Sequence, residues 1–272
     1  MTGEAPEGFQ VMGILNVTPD SFSDGGRFTD RGRAVEHGLA MEREGADIID
    51  VGGESTRPGA EPVPEDEELA RVVPVIEGLR AAGLEASISI DTSKAAVATA
   101  ALEAGADLVN DVSALRADPE MAALVAERGV PCVLMHMRGE PRTMQRDPRY
   151  ADVVAEVRAF LEERLAAAVA AGIAEERIWI DPGIGFGKTA EHNLTLLREL
   201  DALADLGRPI VIGTSRKSFL GRITGRDYTG LAAATVATSV LAYERGARVF
   251  RVHDVAPTRD ALLVAAATVG RA

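Results

Sequence analysis

The strongest constraint on this chain is a junction that recurs along its length: a glycine closes a charged, amphipathic stretch, and a short apolar run follows at once. It stands at Gly45-Ala46-Asp47-Ile48-Ile49-Asp50, at Gly105-Ala106-Asp107-Leu108-Val109-Asn110, at Gly129-Val130-Pro131-Cys132-Val133-Leu134 and at Gly246-Ala247-Arg248-Val249-Phe250. Gly83, Gly172 and Gly207 occupy the same place behind looser flanks. A glycine there suits the left-handed position just past a helix, and the apolar run reads as a buried parallel strand. Seven junctions and an opening strand at 10–16 make eight strands, with the others at 46–52, 86–91, 107–111, 131–136, 177–181, 209–213 and 248–252. Roughly 34 residues per unit are enough for a strand, a loop and a helix.

Strict alternation of strand and helix means a parallel sheet. Eight units without a compositional break predict a single (β/α)8 barrel over 10–272, an α/β fold, with 1–9 as an N-terminal extension. An open, doubly wound sheet is the competing architecture. With 46% hydrophobic and 26% charged residues the chain is ordinary globular material. Its net charge of −13 argues against nucleic acid or an anionic membrane as partner. No signal-peptide pattern opens the chain and no apolar stretch approaches the ~20 residues of a membrane helix, so a cytoplasmic protein is expected. Cys132 is the only cysteine, which rules out a disulfide framework or a cysteine zinc cluster within one chain.

A barrel places its chemistry at the C-terminal ends of its strands. Those ends carry Asn16, Asp91, Asn110, Asp111, His136, Asp181, Ser215-Arg216-Lys217, Arg251 and His253, whereas helix capping alone would explain one or two such residues. The glycine run Gly183-Ile184-Gly185-Phe186-Gly187-Lys188-Thr189 is not a P-loop, because only three residues separate Gly183 from Gly187-Lys188, and Lys188 breaks the dinucleotide pattern. His37 and His192 read as surface residues, and Cys132, Trp179 and Met12 as core.

Two carboxylates, Asp91 and Asp181, with the amide of Asn110 between them in strand order, suit a planar heterocycle rich in N–H donors, such as a pterin, with Lys217 meeting its acceptors. The alternative is that each aspartate merely caps the helix after it. Arg57, Arg216, Lys217, Arg251 and His253 form a basic cluster in an acidic chain, pointing to a local anion site, although Arg216 reads equally well as half of a structural ion pair. Asn16 offers the hard oxygen that Mg²⁺ accepts, and that ion takes few protein ligands when phosphates and water complete its shell.

Several longer segments together are specific. They are Met12–Gly26 (MGILNVTPDSFSDGG), Ile49–Gly59 (IDVGGESTRPG), Ser89-Ile90-Asp91-Thr92, Val109-Asn110-Asp111-Val112-Ser113, Leu134-Met135-His136-Met137, Asp181–Thr189, Gly213–Phe219 (GTSRKSF) and Arg251-Val252-His253-Asp254. In this order the chain resembles the bacterial dihydropteroate synthases from end to end. The resemblance implies condensation of 6-hydroxymethyl-7,8-dihydropterin pyrophosphate with 4-aminobenzoate, giving 7,8-dihydropteroate and pyrophosphate, with Mg²⁺ as cofactor. It implies that Asp91, Asn110, Met135, Asp181 and Lys217 bind the pterin, and that Thr56, Arg57, Pro58, Phe186, Lys217 and Ser218 shape the aminobenzoate site. Asn16, the implied metal ligand, would hold the pyrophosphate with Thr56, Arg57, Arg251 and His253, while Asp24, Lys217, Arg251 and His253 would serve catalysis. An SN1-like loss of pyrophosphate, closure of the first and second loops (17–30 and 53–64) over the substrates and inhibition by sulfonamides are further expectations. A pterin-binding methyltransferase barrel and a catalytically silent paralogue are the competing readings. Finally, 231–242 and 261–269 carry no charged residue, unlike the earlier outer helices, so a homodimer through the last two helices is expected.

Overall fold

The computed structural model describes residues 8–18, 27–56 and 59–269, the side chains of 27–30 excepted. Eight strands, β1 (Gln10–Asn16), β2 (Ile48–Gly52), β3 (Ser87–Asp91), β4 (Leu108–Asp111), β5 (Cys132–Met135), β6 (Ile178–Asp181), β7 (Ile210–Ile212) and β8 (Ala247–Val252), pair in parallel in sequence order. β8 closes onto β1, so the barrel is complete and the open sheet is excluded. Around it run α1 (Arg27–Arg43), α2 (Glu65–Ala81), α3 (Ala95–Glu103), α4 (Met121–Arg128), α5 (Val153–Ala170), α6 (Ala190–Arg198), α7 (Asp201–Ala204), α8 (Ser218–Thr224), α9 (Ala232–Glu244) and α10 (Val255–Val269). Among the described residues no helix is long and apolar enough to cross a membrane.

The junction glycines behave as their spacing predicts. Gly45, Gly83, Gly105, Gly129, Gly172, Gly207 and Gly246 all have positive φ, between 60° and 114°. The repeated aspartate behind two of them is not in a strand, which is why β2 and β4 begin later than expected. Asp47 accepts the Val11 N–H at 2.8 Å and Arg259 Nη1 at 3.0 Å, and the same arginine donates to Gly45 O at 2.7 Å. Asp107 repeats this, accepting the Ile88 N–H at 2.8 Å and pairing with Arg80, which donates to Gly105 O at 3.0 Å. At the N-terminal face of the barrel, then, an arginine from an outer helix ties a junction glycine and its aspartate to the neighbouring strand. That face serves stability.

Side chains alternate across each strand. One set, including Leu15, Ile49, Val51, Ile90, Val109, Leu134, Ile180, Ile212 and Phe250, packs outward in the core shared with the helices. The other set closes the barrel's interior: Met12, Ile48, Leu108, Val133, Trp179, Val211 and Val249 form one buried cluster, with a residue from every strand but β3, where Ser89 is buried. Cys132, too, is a buried core thiol. His192 differs from expectation. It is half-buried and caps α6, its Nδ1 accepting the Thr189 N–H at 3.2 Å while its own N–H donates to Thr189 Oγ1 at 3.2 Å.

Candidate active site

The pleat carries the inner cluster directly into the site. Two residues beyond Met12, Ile48, Leu108, Val133, Trp179 and Val249 come Ile14, Asp50, Asn110, Met135, Asp181 and Arg251, all on the inward face one layer nearer the C-terminal mouth. Asp91 joins this layer, in register with Asn110 and with Gly52. Above it opens a cavity of about 900 Å³. Asn16, Thr56, Asp91, Asn110, Met135, Asp181, Phe186, Lys217, Ser218, Arg251 and His253 all line it, so every described residue assigned a binding or catalytic role shares one space, whereas the strand-end residues Asp111 and His136 do not line it. Asp24, Arg57 and Pro58 lie outside the described residues, as do parts of the two loops expected to close.

A charged network spans the floor. Arg251 Nε donates to Asp50 Oδ2 at 2.6 Å and its Nη2 donates to Asp91 Oδ2 at 2.7 Å. Asn110 Nδ2 lies 3.2 Å from the same Asp50 Oδ2. Burial raises the Asp91 carboxyl, to about 7, with Arg251 pulling it down and the neighbouring Asp50 charge pushing it up. Burial acts against the Arg251 cation, but Asp50 and Asp91 reverse the effect and hold its proton more firmly than usual. Asp181 is also raised by burial, opposed by the Gly183 N–H that donates to its Oδ1 at 2.6 Å and by the Lys217 charge.

Neither aspartate caps a helix, so that alternative falls. Lys94 holds the N-cap position of α3 and Thr189 that of α6. Asp111, by contrast, serves its own turn, accepting from Ser113 N–H, Ser113 Oγ and Leu115 N–H at 2.7–2.9 Å.

The cavity wall beyond is shaped by the loops after β6, β7 and β8. Lys217 Nζ sits 4.2 Å from the Phe186 ring centroid, a cation–π contact that places a positive charge beside an aromatic wall. Arg216 is half of an ion pair: Nε and Nη2 grip both oxygens of Asp254 at 3.1 and 2.6 Å, joining the β7 loop to the β8 loop. Ser215 Oγ accepts the His253 backbone N–H at 3.1 Å and lies 2.9 Å from His253 Nδ1. The other ring nitrogen, Nε2, lies 3.4 Å from Tyr228 Oη, so the imidazole is held between Ser215 and Tyr228. Asn16 contributes its amide at the end of β1, and among the described residues no group of three or more His, Cys, Asp or Glu could hold a metal.

Three contributors were not singled out from the sequence. Asp50 is fully buried beneath Arg251, Tyr228 lines the mouth, and Lys188 is a buried lysine on the cavity wall. Asp50 was within reach of the pleat period, two residues after Ile48. Nothing in local spacing pointed to the other two.

The chemistry on offer is therefore two-sided. A floor of carboxylates and an amide, walled by Met135 and Phe186, suits a flat donor-rich ring, and a cationic rim of Lys217, Arg251 and His253 suits an anion. Comparison with known proteins agrees. The family described as pterin binding enzyme matches residues 12–253. A dihydropteroate synthase of Mycobacterium leprae is 53% identical over 265 residues, covering 95% of this chain and 93% of its own. The structure of the Xanthomonas albilineans dihydropteroate synthase with 4-aminobenzoic acid superposes with a TM-score of 0.91 at 52% identity, covering 96% of this chain and 93% of that one. That of the Yersinia pestis dihydropteroate synthase with a sulfonamide drug gives 0.90 at 46% identity, covering 96% and 94%.

Proposed function

This chain belongs to the family of pterin binding enzymes, and from that membership we infer that it is a dihydropteroate synthase, joining 6-hydroxymethyl-7,8-dihydropterin pyrophosphate to 4-aminobenzoate with release of pyrophosphate. One observation carries the reading: the described residues that would bind a pterin, an arylamine and a pyrophosphate come from separate strand ends and the loops after them, and line one cavity.

The pterin ring lies on the floor, its amino and ring N–H groups donating to Asp91 and Asp181 and its acceptors met by Asn110 and Lys217, with Met135 against its face. The pyrophosphate points to the rim, where Thr56, Arg251, His253 and, outside the described residues, Arg57 bind it. Magnesium, when bound, offsets the charge of the departing pyrophosphate, and Asn16 is the residue that would hold it, with substrate phosphates and water completing the shell. A single protein oxygen on the rim fits that role.

Departure of pyrophosphate leaves positive charge on the pterin methylene, in an SN1-like path, and the carboxylates of the floor stabilise that charge. Arg251 has a second effect here: it links the floor to the leaving group, so its charge is shared between Asp50, Asp91 and the phosphate. The arylamine needs positioning rather than activation, which Phe186, Ser218 and Lys217 supply, with Thr56 and Pro58 on the second loop. Asp24 would stand over the reacting carbon.

The enzyme acts in the cytoplasm, where a free buried thiol such as Cys132 persists, and as a homodimer. In support of the dimer, Leu241 on α9 and Leu263 and Val264 on α10 are 48%, 51% and 67% exposed on adjacent outer helices. The deciding experiment for the activity is formation of 7,8-dihydropteroate and pyrophosphate on mixing the two substrates with magnesium. No product at micromolar enzyme would overturn the assignment.

A further inference from the structure

Behind the aromatic wall lies a buried cation that the proposed reaction does not use. Lys188 is 3% exposed, at the end of the glycine-rich loop between β6 and α6. Its Nζ is 2.8 Å from His136 Nδ1, 2.9 Å from Gly183 O and 3.0 Å from Phe186 O, with His136 O at 3.4 Å. An ammonium has three N–H groups, and three close acceptors surround this one. The imidazole, too, is buried, edge-on to Phe160 at 4.9 Å, and both burial and the Lys188 charge act against its protonation, so its Nδ1 accepts.

The loop passes hard against the backbone that follows β5. Gly183 and Gly187 have φ of 67° and 62°, and a Cβ on either would lie 1.8 Å from His136 O or 2.3 Å from Arg138 O. Two runs of backbone thus touch, with carbonyls turned inward, and buried carbonyls need donors. Gly183 O accepts the Phe186 N–H at 3.0 Å, and Lys188 adds a second donor to it and donates to Phe186 O as well. Two of its acceptors, Gly183 and Phe186, belong to the segment that sets the Asp181 carboxylate and the Phe186 ring, on which Lys217 rests. Its charge also lowers the carboxyl of Asp181, against the burial that raises it.

We propose that Lys188, seated on His136, is a positioning residue for this reaction: its ammonium locks the loop after β6 so that Phe186 forms the arylamine wall and the Gly183 N–H stays on the Asp181 carboxylate beneath the pterin. The charged and titratable groups facing Lys188 are Asp181 from β6, Lys217 from the β7 loop, His192 from α6, and His136 and Arg138 from the β5 end. Burial draws its own proton affinity down to about 7 while Asp181 holds the proton on. The inference rests on the synthase reading given above.

The test uses wild type, Lys188→Met and Lys188→Ala side by side, with the pterin pyrophosphate, 4-aminobenzoate and magnesium. Lys188→Met should raise KM for 4-aminobenzoate at least tenfold and shift the acid limb of kcat/KM for the pterin substrate to higher pH, since Asp181 then protonates more readily. Lys188→Ala should recover activity at least fivefold with propylammonium and not with propanol, because the lost group is a cation rather than bulk. Wild-type parameters in Lys188→Met, or equal recovery with propanol, would overturn the proposal. Should neither variant fold, nitrogen NMR of the wild type decides: an imidazole proton on His136 Nε2 and an exchange-protected Lys188 ammonium support it, and a proton on Nδ1 refutes it. No product from wild type would remove the synthase reading and this inference together, whereas product from wild type and Lys188→Met alike removes the inference alone.

Discussion

Asp50 does not line the cavity, yet it sets the geometry of two residues that do. Its carboxylate receives Arg251 and Asn110 from below, and in doing so places a like charge near Asp91. Asp50→Asn should lower kcat/KM about tenfold or more, equivalent to about 1.4 kcal/mol or more of transition-state stabilisation. The sign of its pH effect follows from charge: without Asp50's repulsion, and with Arg251 left to Asp91, the Asp91 carboxyl ionises more easily and the acid limb moves to lower pH. An unchanged pH profile would separate Asp50 from Asp91. Lys217→Ala should cut turnover more than about a hundredfold with the circular dichroism spectrum retained, because the side chain binds at the rim rather than in the core. A loss within threefold, under about 1 kcal/mol, would remove Lys217 from the site. At this scale the sequence was informative at most polar strand ends, but not at Asp111, which braces its own turn, or at His136, which is buried against Lys188. It was silent on Lys188, whose partner His136 is 52 residues away and meets it only when two loops touch.

Among the elements, the β6 loop is the most constrained. Gly183→Ala would put a methyl group 1.8 Å from the His136 carbonyl at a left-handed φ of 67° that favours glycine. The backbone conformation and the overlap together should destabilise the protein by about 2–5 kcal/mol, read as a lowered urea midpoint, and a stability equal to wild type would show that the loop has room to move. The same glycines imitate a P-loop in sequence, but here they let backbone pass backbone and no phosphate cradle is formed among them. That a helix precedes each junction was legible from the charged, amphipathic stretch that the glycine closes. The division of the β6–β7 segment into α6 and α7 and the insertion of α8 before α9 were not, because both depend on how the chain packs against the rim.

For the whole molecule, two outcomes are expected. Light scattering at micromolar concentration should give about twice the 28.6 kDa chain mass, and Val264→Glu should return it to the monomer, since a charge on this outer face would be buried against its copy. A monomer at the outset would leave Leu241, Leu263 and Val264 as solvated surface. A sulfonamide should inhibit competitively with 4-aminobenzoate, as the site is lined by Phe186, Lys217 and Ser218 and the Yersinia pestis relative is known with a sulfonamide drug. An excess of sulfonamide without effect at limiting 4-aminobenzoate would show that the second subsite has a different shape.

The sequence by itself determined the barrel, its strand order and the polar strand-end residues that line its mouth. The reason is that these depend on local patterns: a glycine past each helix, an apolar run after it, and a pleat of period two that carries a core side chain into a site side chain. What only the tertiary structure decided was partnership. Arg216 could be a ligand contact or an ion pair until Asp254 was found against it, and Asp91 could be a helix cap until Arg251 was found across the floor. Closing eight strands into a ring brings Arg251 to Asp50, 201 residues away in the chain, and no periodicity extends so far.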